Sequence, residues 1–301
     1  MKPLTISILS DLHFDSHFPN TISPPSEDAV RRVFDPIFKS HADILIIAGD
    51  LGHYNHQNRQ IIKWLKKLYF KHILIVLGNH DYYLVNRIMI DDYETSFNRV
   101  IELRKQLNEI DGVHCLNGNV VELEGVRFGG CDSWYDGQYL LQNLNPHYVH
   151  DLNDVDKSWG YWINDKANIH GVNRFDDIWE IEKPKIEAIY QQCDVMITHV
   201  MPSVNPEHVD RHYRDNRGTA YFCFDGKKYL KNTTAHTWIF GHTHSSKEFD
   251  VYDVKVIANQ LGYQSEARKS PVEEKVIEIW REVKNTSFIK QIEEEKKDIP
   301  Q

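Results

Sequence analysis

Cysteine is scarce in this chain. The four it has, Cys115, Cys131, Cys193 and Cys223, stand too far apart for C-x-x-C or zinc-finger spacing. Their placement excludes a disulfide scaffold and a thiolate metal module, and it suits a reducing compartment. Long apolar runs are missing too: nothing approaches the roughly eighteen residues that a membrane span needs. Met1-Lys2-Pro3 leads straight into the first apolar run, with no signal-like segment, so the expected setting is cytoplasmic and no membrane partner is expected. Positive charge is in deficit, with 35 Lys and Arg against 44 Asp and Glu, a formal net charge of -9. With no long basic stripe either, a nucleic-acid backbone is a possible but not a favoured partner. No internal repeat stands out. The remainder is an ordinary globular profile, 41% hydrophobic and 26% charged, long enough at 301 residues for a sizeable core.

Against that plain background, metal-friendly side chains recur at the ends of five short apolar runs. Ser10-Asp11-Leu12-His13 follows Ile6–Leu9, Gly49-Asp50 follows Ile44–Ala48, and Gly78-Asn79-His80-Asp81 follows Ile73–Leu77. Thr198-His199 follows Val195–Ile197, and Gly241-His242-Thr243-His244 follows Trp238–Phe240. Carboxylate, amide oxygen and imidazole together suit hard and borderline divalent ions. Asp11 and His13, at i and i+2 of an extended segment, would share one face. Parallel strands deliver their C-terminal ends to one crevice, where later motifs can join them. If two ions lie about 3.5–4 Å apart, one carboxylate must bridge them, and Asp50 is the best placed. The pattern points to a two-metal hydrolase.

Strand and helix signals alternate over the first 130 residues, which favours an α/β arrangement with parallel pairing. Helices are expected over about Glu27 to Lys39, with Ser26 as its opening cap, over about Gln57 to Phe70, and over about Ile88 to Asn108. In the last of these Phe97, Val100, Ile101, Leu103 and Leu107 would form the buried face. Residues 120–130 and 249–258 read as hairpins, and Val276, Ile277, Ile279 and Trp280 as one more packed element. About residues 132–180 the pattern breaks into an aromatic-rich stretch with no clean period, including Trp134, Trp159, Trp162 and Trp179. It is expected to be an insertion that folds as a cap over the metal edge, or else a peripheral helical piece. The whole chain, 1–301, is expected to form one domain with a charged tail over about 286–301.

Asp-x-His, Gly-Asp, Gly-Asn-His-Asp, Thr-His and Gly-His-Thr-His, in that order over roughly Ile6 to Tyr263, resemble the calcineurin-like metallophosphoesterase family. Each piece is weak alone; five in sequence after apolar runs are specific. Asn259-Gln260-Leu261-Gly262-Tyr263 also resembles a segment found in some bacterial and phage members. The resemblance implies a four-layer fold, a central β-sandwich flanked by helices, with two divalent ions at one edge. One ion would take Asp11, His13, Asp50 and His244; the other would share Asp50 and add Asn79, His199 and His242. The metals could be Mn, Fe, Zn, Ni or Co, with Mn expected to support activity in vitro. His80 would bind no metal but face the phosphate, and the implied chemistry is in-line attack of metal-bound hydroxide on a phosphodiester or phosphomonoester.

The chain departs from the protein Ser/Thr phosphatase branch after Asp50. That branch carries an Asp-Arg pair there, where this chain has Leu51-Gly52-His53-Tyr54-Asn55-His56. Substitute cations could come from Arg211, Arg214 and Arg217, or those could belong to a solvated loop; His208 and His212 share that ambiguity. His53 and His56 could reach substrate or be ordinary loop residues. Asp81 could orient an imidazole, with a cap on the following helix the preferred role. Trp134 and Trp159 could stack on a nucleobase, which leans the substrate towards small nucleotide-type phosphodiesters. The alternatives are a nuclease on DNA or RNA, and a catalytically silent scaffold of the same fold, which retention of all seven ligands and His80 disfavours.

Overall fold

Ile44-Leu45-Ile46-Ile47-Ala48 is apolar at every position, so a strand made from it must be covered on both faces. A computed structural model describes residues 3–20, 22–144 and 149–280, and shows how that is done. In the first sheet β1 (Leu4–Leu9), β2 (Ile44–Ala48), β3 (His72–Val76) and β4 (Val113–Cys115) run parallel. The second holds β5 (Asn119–Leu123), β6 (Val126–Gly130), β7 (Val195–Ile197), β8 (Thr237–Phe240), β9 (Lys247–Val251) and β10 (Val254–Ala258) in the order β5-β6-β7-β8-β10-β9. Within it β6, β7, β8 and β10 are parallel neighbours, flanked by the two expected hairpins, β5–β6 and β9–β10. Then β11 (Lys275–Ile279) returns to the first sheet, antiparallel to β1, with Ile6 opposite Ile277.

The two sheets pack face to face. Ile6, Ile8, Ile44, Ile46, Leu74 and Val76 from one meet Phe128, Val195, Ile197, Ile239 and Ile257 from the other in a fully buried layer. The alternate residues of the same strands, such as Leu45, Ile47, Ile73 and Ile75, belong to a second cluster shared with the helices. Period-two alternation thus serves both faces of each strand. The β-sandwich flanked by helices that the motifs implied is the observed architecture.

The helices correct several expected boundaries. After the four-residue α1 (Phe14–His17), α2 spans Glu27–Phe34, capped by the Ser26 side chain, and stops short of Lys39. Next, α3 spans Asn55–Leu68. The single long helix expected over 88–108 is two, α4 (Arg87–Tyr93) and α5 (Ser96–Asn108). Glu94 takes a positive φ of 62° and the Thr95 side chain caps the new start, which ends one helix and opens the next. That break rotates Ile101 outward; it is 65% exposed, while Val100, Leu103 and Leu107 are buried. Between β6 and β7 the aromatic stretch folds as α6 (Gln138–Asn143), α7 (Leu152–Trp162), α8 (Asp165–Asn168) and α9 (Asp177–Ile189). Just before β8 comes α10 (Lys227–Asn232), and between β10 and β11 lies α11 (Gln264–Lys269). Ile277 and Ile279 pack against the inter-sheet layer, whereas Trp280 is exposed. The expected tail lies outside the described residues. Among the described residues no helix is long and apolar enough to cross a membrane.

Candidate metal centre

Every expected ligand stands within four residues of the C-terminal end of a parallel strand, and the two sheets bring those ends together. Asp11 and His13 follow β1, Asp50 follows β2, Asn79 follows β3, His199 follows β7, and His242 and His244 follow β8. The loops are laced by backbone bonds: Asp11 N–H to Gly49 O and His13 N–H to Asp50 O, each 3.0 Å, and Gly241 N–H to His199 O, 2.8 Å. A bridge between Ser10 and Gln260 joins the end of β1 to the chain leaving β10.

Two donor clusters result. Asp11, His13, Asp50 and His244 form one, and Asp50, His199 and His242 the other; within each cluster the ligand atoms all lie within 4.8 Å of one another. Asp50 belongs to both, one oxygen to each: Oδ2 is 3.9 Å from His13 Nε2 and Oδ1 is 3.4 Å from His199 Nε2. Asn79 Oδ1 lies 3.2 Å from His199 Nε2 and so joins the second cluster. In the first, His13 Nε2 and His244 Nε2 are 3.0 Å apart.

The residues fit a pair of divalent ions on three grounds. The second nitrogen of three imidazoles is engaged elsewhere, which aims the first inward. His199 Nδ1 faces Ala48 O at 2.8 Å, His242 Nε2 faces Tyr221 O at 2.8 Å, and His244 Nδ1 faces Glu266 Oε2 at 2.9 Å. The electrostatics also ask for a cation. Burial, with Asp11 and Asp81 close by, pushes the Asp50 carboxyl well above its ordinary range. Burial likewise pushes His13 and His242 well below theirs, so both rest as the neutral imidazole that a metal takes. Finally, the backbone is bent to aim these side chains: Asp11, His13, Asp50, His242 and His244 all have φ between 39° and 68°. L-residues seldom adopt that region, at a cost of roughly 1–2 kcal/mol each, and strain of this kind collects at functional sites. Gly49 and Gly78 clear the space; a Cβ at either would lie 2.2 Å from His199 Nδ1 or Asp50 Oδ1 respectively.

His80 sits beside the clusters, its backbone N–H donating to Asp50 Oδ1 at 2.9 Å. Its Nδ1 is 3.0 Å from His53 Nε2, and His53 Nδ1 is 3.1 Å from Asp15 Oδ2. On the other side Tyr263 OH is 3.2 Å from His80 Nε2, and the Tyr263 ring stacks on His13 at 4.1 Å. The acceptor-only Asp15 carboxylate orders this chain of rings, since it takes the His53 Nδ1 proton. His53 is therefore held between Asp15 and His80. Burial and neighbouring imidazoles push His80 well below its usual pKa, so its resting ring is neutral.

Several other expectations are corrected. Asp81 does not cap a following helix; its buried carboxylate accepts from Gly78, Leu51 and Gly52 N–H, tying the 3-10 turn Asn79–Asp81 to the loop after Asp50. Trp134 is buried against Tyr82, and Trp159 is buried with its Nε1 donating to Tyr135 OH, so neither faces the site. Arg214 is engaged by Glu207 and by Val209 O, Arg211 is exposed, and with Arg217 neither lines the cavity beside the clusters. His208 bonds Ser203 and stacks on Phe249, and His212 and His56 are exposed. That cavity holds about 480 Å³ and is lined by Asp50, His80, His242 and His244 and by Tyr161, Trp162, Tyr213 and Phe222, the last stacked on His242. Its cation is Lys247, paired with Asp210 at 3.0 Å, which the sequence did not single out. Arg99 was also missed: fully buried, it donates to Gly52, His80 and Tyr83 carbonyls and fixes the His80 turn. Nothing in the local sequence marks a surface-looking helical Arg as that buttress.

A protein of Acanthamoeba polyphaga mimivirus, named only as uncharacterized protein L509, is 25% identical over 236 residues, covering 74% of this chain and 79% of that protein. The phosphopantetheinyl hydrolase of Mycobacterium tuberculosis superimposes with a TM-score of 0.60 over 95% of this chain and 99% of its own, at 16% identity, a likeness of fold. The profile of the calcineurin-like phosphoesterases matches residues 4–246, a stretch that contains all five ligand-bearing strand ends. The chain belongs to the calcineurin-like phosphoesterase family.

Proposed function

We propose that this metal-dependent phosphoesterase hydrolyses small phosphoesters at a dinuclear centre held by Asp11, His13, Asp50, Asn79, His199, His242 and His244. The single observation that carries the reading is Asp50, whose two oxygens face the two donor clusters. When bound, such ions supply Lewis acidity and a nucleophile drawn from water at neutral pH. The chain's own groups bind and orient. His80, anchored by His53 and Asp15, faces the ester beside the clusters and assists the departing oxygen. That assistance calls on the protonated ring, whose charge Asp15 offsets through the relay while burial opposes it.

The cavity suits a small molecule in size, and its wall of aromatic side chains suits a flat or apolar group attached to the phosphorus. Tyr161, Trp162 and Tyr213 stand at that wall and are at least partly exposed, which supports a nucleotide-type phosphodiester as substrate. The segment 132–180 contributes Tyr161 and Trp162 and so acts as the cap. A long polyanion is disfavoured by the net charge of -9.

The test is a panel of aryl phosphates, cyclic nucleotides, dinucleotides and single-stranded DNA, each with manganese and with chelator. Metal-dependent turnover of the small esters is expected. Failure to retain any divalent ion, or turnover that survives complete chelation, would overturn the reading.

A further inference from the structure

The cavity wall and the second donor cluster are joined by one buried carboxylate. Asp165, in α8 of the segment 132–180, is fully buried, and every hydrogen bond to its side chain comes from a neutral donor. Its Oδ1 accepts from Asn79 Nδ2 at 2.8 Å and from Tyr83 OH at 2.5 Å, and its Oδ2 accepts from Tyr135 OH at 2.7 Å. Trp159 Nε1 donates in turn to that Tyr135 hydroxyl at 2.7 Å. Asn79 Nδ2 also lies 3.0 Å from Tyr83 OH. The amide nitrogen of Asn79 thus faces Asp165 and Tyr83.

A side-chain amide can turn over, exchanging its oxygen for its nitrogen at little cost unless a partner forbids it. A carboxylate forbids it, because it only accepts; a neutral amide in its place would tolerate either orientation. With Asp165 present, the Asn79 oxygen must face the other way, towards His199 Nε2 at 3.2 Å. Burying a carboxylate without a cationic partner is expensive, and an all-apolar contact would fill the same space more cheaply. Its presence is accounted for by the amide it orients.

We propose that Asp165 is a positioning residue for the second ion. It locks the Asn79 oxygen towards the Asp50–His199–His242 cluster and makes the insertion a structural part of that site. This rests on the dinuclear reading above. The residues just before it, Gly160 to Asn164, line the cavity, so the element that walls the substrate also fixes a ligand.

The test is calorimetric titration of the metal-free full-length protein with Mn²⁺ alone, reading stoichiometry and affinity. The wild type is expected to take two ions. Asp165→Asn should keep one at wild-type affinity and weaken the other about 10- to 100-fold, the usual effect of removing a ligand's hydrogen-bonding partner. Asn79→Ala should weaken the same ion, and the double variant should lose no more than Asn79→Ala alone, because Asp165 acts only through Asn79. A generally loosened fold would instead add its loss to that of Asn79→Ala. Should Asp165→Asn fail to fold, Tyr83→Phe removes the hydroxyl shared by both residues and should selectively weaken the same ion. Two ions bound normally by Asp165→Asn, or full additivity with Asn79→Ala, would overturn the proposal and leave the dinuclear reading standing. A wild type that binds no ion would overturn that reading first.

Discussion

The facing ring nitrogens of His53 and His80 lie 3.0 Å apart, with Asp15 holding the far side of His53 at 3.1 Å. His80, which is proposed to face the ester, is thereby aimed by His53 and Asp15. His80→Ala should keep both ions and lose about 10²- to 10⁴-fold in kcat on alkyl phosphoesters, with a smaller loss on nitrophenyl esters that need no help leaving. His53→Ala should cost less, about tenfold, with KM and metal content unchanged. Equal turnover of an alkyl ester by wild type and His80→Ala would refute the assignment.

Asp50 serves both donor clusters, so its loss should be felt at both. Asp50→Ala is expected to bind neither ion tightly, whereas His244→Ala should spare the cluster of His199 and His242. Elemental analysis after dialysis distinguishes the two. Ion removal should also lower the melting temperature: a ligand at about a hundred times its Kd stabilises the folded chain by about 2.7 kcal/mol.

The aromatic side chains divide by location. Trp134→Ala, emptying a fully enclosed site, should destabilise by about 3–5 kcal/mol. Trp162→Ala and Tyr213→Ala, at the cavity wall, should leave stability nearly unchanged and raise KM for nucleotide esters several-fold. Denaturant melts and Michaelis constants separate these outcomes. An unaltered KM in both wall variants would remove the stacking argument.

Asp136 provides a pH signature outside the candidate ligand set. Burial pushes its carboxyl up to about 7, against the opposing pull of Asp225 and Gln138 N–H bonds. An unfolded Asp titrates near 4, so between about pH 4 and 7 the folded chain holds a proton that the unfolded chain has released. Its contribution is therefore complete below about pH 4, falls as pH rises through 7, and is flat above. Asp136→Asn should remove that fall. Urea unfolding of chelated proteins at pH 5 and pH 8 should show the variant gaining on wild type by a few kcal/mol at the higher pH. No change in the difference would show that the carboxyl titrates normally.

Much of the candidate centre was legible because each ligand follows a strand whose apolar run is unmistakable, and parallel strands can send their ends nowhere else. Asp11, His13, Asp50, Asn79, His199, His242 and His244 converge for that reason. The relay was illegible because Asp15, His53 and His80 sit on three separate segments, in α1, in the loop after β2 and in the 3-10 turn after β3, and only tertiary packing makes them neighbours. Trp134 and Trp159 misled because composition says that a segment is aromatic but not which rings face inward. The break between α4 and α5 had a visible signal in Thr95, a good cap, overridden by an apolar period that continues across it. Asp165 had no signal, since its role depends on an amide 86 residues away.

The left-handed backbone at Asp11, His13, Asp50, His242 and His244 sets activity against endurance. Glycine at any of these positions would relieve a local distortion while removing a donor. A lineage that no longer needed hydrolysis would therefore gain folding free energy by discarding these side chains, and the loops would drift first where catalysis once held them.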